Sequence, residues 1–261
     1  MIISLKNKKA LVGGSSGGIG KAIALQLAES GASVTLMSRS EDKLKSIVGD
    51  LPTDQGQQHQ YLVVDFSDFE GYSKMILEYF QHNSVDILVN NTQGPAAGNT
   101  LEKQVADYQE AFDLLFKTVV LTTELALKQM QKNKWGRIIN VASVSVKEPL
   151  SYLALSNTIR AAVVTWAKSL ATDVGTDGIT VNSILTGYFD TERITQLNAK
   201  KAKQLGISQS DVRLDMESKV PVQRIGDPKE YGYLVAFLAS DKAAYITGTQ
   251  IPIDGGLLKS L

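Results

Sequence analysis

The chain has 261 residues, 43% of them apolar, with 27 basic and 27 acidic side chains and no cysteine. That composition belongs to a folded globular protein. It gives no electrostatic reason to expect nucleic acid or an anionic membrane as partner, and it excludes disulfides, thiolate nucleophiles and cysteine-based zinc sites. No apolar run reaches the roughly 18 residues of a membrane span, and Met1 to Lys9 is too short and too charged for a signal peptide, so the expected location is cytoplasmic. The two histidines, His59 and His82, fall in polar stretches and are expected at the solvated surface.

Short β-rich runs alternate with helical stretches along the chain. Ala10 to Val12 reads as a buried first strand, and Gly18 to Ser30 as a helix through Ile19, Ile23, Leu27 and Ala28, ended by Gly31. Val34 to Met37 is a strand, Glu41 to Val48 a helix, and residues 49–58 a polar loop. Tyr61 to Val64 is a third strand, Asp68 to Phe80 a helix, and Asp86 to Asn90 a fourth strand. The spacing predicts one long helix from about Gln104 to Lys132. Arg137 to Val141 is a strand, Tyr152 to Asp173 a long helix, and Ile179 to Leu185 a strand. Residues 190–219 are charged and helical, Pro228 opens a helix ending near Leu238, and Gln250 to Ile253 is the last strand. Near-continuous apolar strands alternating with helices predict a single-domain, Rossmann-like, doubly wound parallel sheet of about seven strands over residues 1–261, with helices on both faces.

Gly14-Ser15-Ser16-Gly17-Gly18-Ile19-Gly20 lies between the first strand and its helix. Its glycines allow a tight turn and close approach of backbone to a pyrophosphate, which the helix N-terminus would attract. Gly14, Ser16, Gly18, Ile19 and Gly20 are therefore candidate dinucleotide contacts. The second strand ends Met37-Ser38-Arg39. Ser38 stands where a carboxylate would grip the adenine ribose of NAD, and Arg39 can fork onto a 2′-phosphate. NADP(H) is the expected cofactor, with NAD(H) left open.

The glycine spacing resembles that of the short-chain dehydrogenase/reductase family, and an ordered set of further motifs agrees over the whole chain. Asp65, beside Phe66, matches the family's adenine-contacting aspartate, and Asn90-Asn91-Thr92-Gln93-Gly94 resembles its Asn-Asn-Ala-Gly motif. Ser143 closes the fifth strand as the family's catalytic serine does. Asn182 to Gly187 resembles the sixth-strand segment, with Thr186 in place of proline. Ile246-Thr247-Gly248 and Asp254-Gly255-Gly256 match the C-terminal signature. The resemblance implies that Asn91 and Gly187 border the cofactor, that residues 190–220 cover the substrate, and that the long helices form a homodimer or homotetramer. Leu101, Val105, Phe112 and Val119 could be core or interface.

The family's catalytic Tyr-x-x-x-Lys is absent. Counting from Ser143, Ser156 takes the tyrosine slot and Arg160 the lysine slot, while Leu115 replaces the asparagine of the long helix. A serine hydroxyl is shorter and far less acidic than a phenol of pKa about 10. Arg160 keeps a cation able to hold the nicotinamide ribose but does not exchange protons as lysine does. Other candidate proton donors are Tyr152, placed one helical turn before Ser156, Tyr188 after the sixth strand, and Lys147, with water or no proton transfer as the remaining options. Two readings follow. One is an atypical NADP(H)-dependent oxidoreductase acting on a carbonyl/alcohol pair. The other is an NADP(H)-binding sensor or partner subunit without redox turnover. Non-redox chemistry like that of the related halohydrin dehalogenases fits less well, because those enzymes keep the tyrosine and rebuild the glycine loop.

Overall fold

The computed structural model describes residues 2–260. The apolar runs form β1 (Lys9–Gly13), β2 (Ser33–Ser38), β3 (Gln60–Val63), β4 (Ile87–Asn90), β5 (Gly136–Val141), β6 (Ile179–Thr186) and β7 (Gln250–Ile253). They pair in parallel as one sheet in the order β3-β2-β1-β4-β5-β6-β7. β4 and β5 are buried along their whole length, since helices cover both faces and no polar alternation is needed. On one face α1 (Gly18–Glu29), α2 (Glu41–Asp50) and α9 (Pro228–Ala239) bury Ile23, Leu27, Leu44, Ile47, Val235 and Leu238. On the other, α3 (Phe69–His82), α5 (Thr118–Asn133) and α6 (Ala154–Val174) bury Tyr72, Ile76, Ala126, Met130, Ile159 and Ala167. Strand order reverses between β1 and β4, which opens a crevice at their carboxyl ends. The glycine loop and residues 91–99 line that crevice. The charged stretch expected to be helical forms α7 (Glu192–Leu205) and α8 (Gln209–Ser218).

Three expectations need correction. The single long helix is α4 (Val105–Phe112), a π-helical turn over Asp113–Lys117, and α5. Thr118 N–H reaches back to Asp113 O, and its hydroxyl donates to Leu114 O at 2.7 Å, so an extra residue is absorbed without breaking the rod. A 3.6-residue apolar period does not register such a bulge. The second long helix begins at Ala154, not Tyr152. Gly98 N–H donates to Tyr152 O (2.8 Å) and Ala154 N–H to Gly98 O (3.1 Å), which pulls residues 152–153 into a bridge with the loop after β4. Tyr152 therefore does not share a helix face with Ser156. Finally, His59 is half-buried. Its Nδ1 accepts from Val34 N–H (3.1 Å) and its Nε2 faces Pro52 O (2.9 Å), so the ring ties the 52–59 loop to β2. His82 is exposed, as expected.

Two packing details lie away from the crevice. At the opposite edge of the sheet, Arg137 is 2% exposed. Its guanidinium donates to Gly136 O (2.8 Å), Gly178 O (3.2 Å) and Asp241 (3.3 Å), and Trp135 Nε1 donates to the same carboxylate (2.9 Å). On the α1–α9 side, Gly232 lets the helices touch: a Cβ there would lie 2.9 Å from Ala22 O.

Candidate functional site

The glycine loop is held open by its neighbours. Gly14 and Gly18 have φ of +56° and +50°, a region that side-chain-bearing residues rarely adopt. A Cβ on Gly20 would collide with the backbone oxygen of Gly14. Ser15 is fully buried and fastens the loop to β2, its Oγ accepting from Met37 N–H at 2.9 Å. Asn91 Nδ2 donates to Gly13 O (3.0 Å), so this side chain props the loop from the β4 side. At the crest, Ser16 is half-buried and Gly17 and Gly18 are exposed. The N-terminus of α1 has no side-chain cap and no acidic residue in its first turn, which leaves free N–H groups over the crevice. These features fit a bound pyrophosphate.

At the outer end of the crevice β2 and β3 finish side by side, Ser38 opposite Val63. Ser38 is buried and Arg39 exposed. The Arg39 guanidinium stands 4.0 Å from Asp65, close enough to be steered but open to another anion. Burial raises the Asp65 carboxyl, but the hydrogen bonds from Ser67 N–H and Oγ, with Arg39 beside them, outweigh it and hold the group below the usual carboxylate range. Phe66 is core: it is buried, with its ring 5.1 Å from that of Tyr72.

At the inner end, β5 and β6 finish beside one another, Val141 opposite Ile184. Ser143 Oγ accepts from Ser145 N–H (3.1 Å), which leaves its own proton available. Ser156 is buried on α6. Arg160, half-buried on the same helix, donates to Val141 O at 2.6 Å. It lines a cavity of about 10 Å³ with Asn90, Thr92, Leu115 and Asn140. Burial pushes its pKa down to about 10, with Tyr231 acting upward and Arg193 downward, so it remains a cation at neutral pH. Gly187 follows β6, where any Cβ would strike Asp254. Thr186 pairs its hydroxyl with that of Tyr231 at 3.0 Å, tethering the end of β6 to α9. The C-terminal motif is structural: Asn182 Nδ2 donates to Ile246 O (2.8 Å), and Thr249 donates back to Asn182 Oδ1 (2.7 Å).

Beyond the crevice lies a groove of about 760 Å³ between residues 97–102, residues 150–152, α7 and α8. Both candidate tyrosines, Tyr152 and Tyr188, line it. Ser143, Ser156 and Lys147 are not part of its lining. Lys200, Lys201 and Lys219 are, and they have no motif in the sequence to announce them. Thr191 and Arg193 were also missed. The Thr191 methyl lies 3.1 Å from where a Gly18 Cβ would sit, and Arg193 Nη2 donates to Pro95 O at 3.4 Å, so the start of α7 reaches both walls of the crevice. The charge of residues 190–220 was the only available signal. Among the described residues no helix is long and apolar enough to cross a membrane.

A doubly wound parallel sheet with an uncapped, glycine-cradled helix N-terminus at its switch point defines a dinucleotide-binding α/β protein. Residues 14–258 match the family described as enoyl-(acyl carrier protein) reductase. The chain belongs to the short-chain dehydrogenase/reductase family. It is 31% identical over 259 residues to the NADPH-dependent reductase BacG of Bacillus subtilis, covering 98% of this chain and all of that one. It is 34% identical over 255 residues to the 3-oxoacyl-[acyl-carrier-protein] reductase FabG of Vibrio cholerae, covering 98% and 99%. The crystal structure of L-sorbose reductase from Gluconobacter frateurii, complexed with NADPH and L-sorbose, superposes with a TM-score of 0.92 at 30% identity over the whole of both chains.

Proposed function

We propose that the chain is an NADP(H)-dependent carbonyl reductase or alcohol dehydrogenase with a non-standard active site. One observation carries the reading: an open glycine cradle whose β2 end presents Arg39 and no carboxylate. Relatives named for NADPH support it. Gly14, Ser16, Gly18, Ile19 and Gly20 hold the pyrophosphate, Ser38 and Arg39 the 2′-phosphate, and Asp65 with the backbone of Phe66 the adenine. Asn91 and Gly187 flank the inner end, where Arg160 holds the nicotinamide ribose. The bound cofactor supplies a hydride. Ser143, its proton unspent, polarises the carbonyl, Ser156 leaves room beside it, and Tyr152 and Tyr188 are the acids within the groove. The lysines of the groove favour a polar substrate, which α7 and α8 cover. Leu101 and Val105, 97% and 87% exposed, are read as part of a homodimer or homotetramer contact. A solution mass equal to the 28.3 kDa monomer would refute that.

The test is fluorescence titration with NADPH and NADH, followed by a panel of ketones, aldehydes, sugars and alcohols monitored by cofactor absorbance. Tighter binding of NADPH than NADH, with turnover, is expected. Arg39→Ala should weaken NADPH by roughly tenfold to a hundredfold while leaving NADH unchanged. Ser156 and Leu115 in the catalytic slots favour a second reading, a sensor or partner subunit, which tight NADPH binding without turnover on any substrate would select. Failure to bind either cofactor overturns both.

A further inference from the structure

Tyr188 and Lys219 come from distant parts of the chain and meet in one wall. Tyr188 lies two residues past β6, and Lys219 follows the last turn of α8. With Leu150 they line both the 760 Å³ groove and a neighbouring one of about 510 Å³, so they stand between the two. Tyr188 is pinned on either side. Gly226 N–H donates to Tyr188 O (2.9 Å), and Asp190 N–H donates to Gly226 O (2.9 Å). Between them Phe189 is bridged to Gly226 and meets the Tyr231 ring edge-on at 5.4 Å. The ends of β5 and β6 bring this short segment toward Ser143. Their pairing stops at Val141 and Ile184, Ser143 lies two residues past β5 and Tyr188 two past β6, and Val144, next to Ser143, lines the smaller groove together with Tyr188.

Charged groups surround Tyr188. Asp215 of α8 and Lys219 just after it are joined at 2.7 Å, and Lys201 of α7 reaches the same Asp215 at 3.1 Å. Two ammonium groups therefore share one carboxylate. The turn before α6 presents Tyr152, and the neighbouring groove holds Glu148 and Lys259.

Resting on the reading of the chain as a carbonyl reductase, the geometry points to Tyr188 as the proton donor and Lys219 as the residue that positions and polarises it. The pair is assembled from the β6 loop and the end of α8 in place of a single helix. In the reduction, the carbonyl carbon accepts the hydride of the reduced nicotinamide dinucleotide and its π electrons move onto oxygen. That oxygen takes the proton of Tyr188 Oη, with the Ser143 hydroxyl donating a hydrogen bond. Solvent reprotonates the tyrosinate, which the Lys219 cation stabilises meanwhile. In sum, a carbonyl, a reduced dinucleotide and one solvent proton become an alcohol and an oxidised dinucleotide. Burial raises the Tyr188 phenol, Lys219 draws it down and Asp215 raises it again, for a net upward shift. The phenol thus stays protonated at neutral pH, which suits reduction. Tyr152 is raised by burial and by Tyr188 itself, and no cation opposes the rise.

The test uses the whole chain with Tyr188→Phe, Tyr152→Phe, Lys219→Gln and Lys219→Arg. Tyr188→Phe should lower kcat about 10²–10⁴-fold while the NADPH Kd stays unchanged. Lys219→Gln should move the alkaline limb of the reduction profile to higher pH, because a phenol without its cation holds its proton longer, and Lys219→Arg should restore the limb. A readout free of cofactor is the ultraviolet titration of tyrosinate, taken as the difference between wild type and Tyr188→Phe. In the Lys219→Gln background this difference should also titrate at higher pH. The proposal is overturned if Tyr188→Phe keeps its kcat, if Tyr152→Phe carries the loss instead, or if Lys219→Gln moves neither the profile nor the titration. A wild-type chain that binds NADPH and turns over nothing defeats the reductase reading and the donor role together. The titration still decides whether Lys219 acts on Tyr188.

Discussion

A single methyl group added at Gly20 would close the cradle. The Cβ would fall on the Gly14 carbonyl, which is backbone, with the Asn91 side chain close behind. No side chain can swing aside to make room. Gly20→Ala should therefore destabilise the fold by about 2–4 kcal/mol and abolish dinucleotide binding, read by thermal denaturation and cofactor fluorescence. Unchanged melting would mean that the loop has room to shift. The same constraint explains why the cofactor half of the site is legible in the amino-acid order. Residues such as Gly14, Gly20 and Arg39 act at strand ends, where local spacing fixes position. Tyr188 and Lys219 come to line one wall only in the folded chain, and nothing local at either residue marks the pairing.

At the scale of elements, α9 shows how a helix start written in sequence becomes a pH-dependent contact. Asp227 caps it, Pro228 occupies its first turn and Glu230 completes a capping box. The Glu230 carboxylate accepts from both Arg224 Nη atoms (2.7 and 2.6 Å) and from Asp227 N–H (2.8 Å). The Arg224 fork, then that backbone N–H, bring its pKa down to about 2 against the small opposing effect of burial. A folded-state pKa below the unfolded value means that the contribution is complete above the ordinary glutamate pKa of 4.5 and is lost as pH falls toward about 2. Because the pair is solvent-exposed, Glu230→Gln should cost less than about 1 kcal/mol at neutral pH. The gap from wild type should shrink to nothing in acid denaturation series near the lower limit. Elements governed by local chemistry such as this cap are readable in advance. The π turn at Asp113–Lys117 and the late start of α6 are set by packing and by the Gly98 bridge, which lie outside any periodic pattern.

Over the whole molecule, stability and ligand recognition sit at opposite edges of one sheet. The carboxyl edge carries the glycine loop, Arg39, Ser143 and the groove with its three lysines. The amino edge is closed by Arg137, whose guanidinium holds two backbone carbonyls and Asp241. Removing it leaves the buried Gly136 carbonyl without that donor and releases the more exposed Gly178 carbonyl and Asp241. Arg137→Ala should lower the unfolding free energy by about 2–4 kcal/mol while cofactor affinity holds. Chemical denaturation alongside NADPH titration checks both, and a matching loss of affinity in folded protein would contradict the separation.

The α1–α9 contact at Gly232 joins the earliest helix to the last one. During ribosomal synthesis, at about 5–20 residues per second, the apolar face of α1 waits roughly 10–40 s for its cover to be translated. Until then Ile23 and Leu27 have no partner from α9, and the helix beneath the glycine loop lacks its outer support. We expect the nascent chain to expose that apolar face through most of its elongation and the cofactor cradle to be among the last parts of the protein to become rigid.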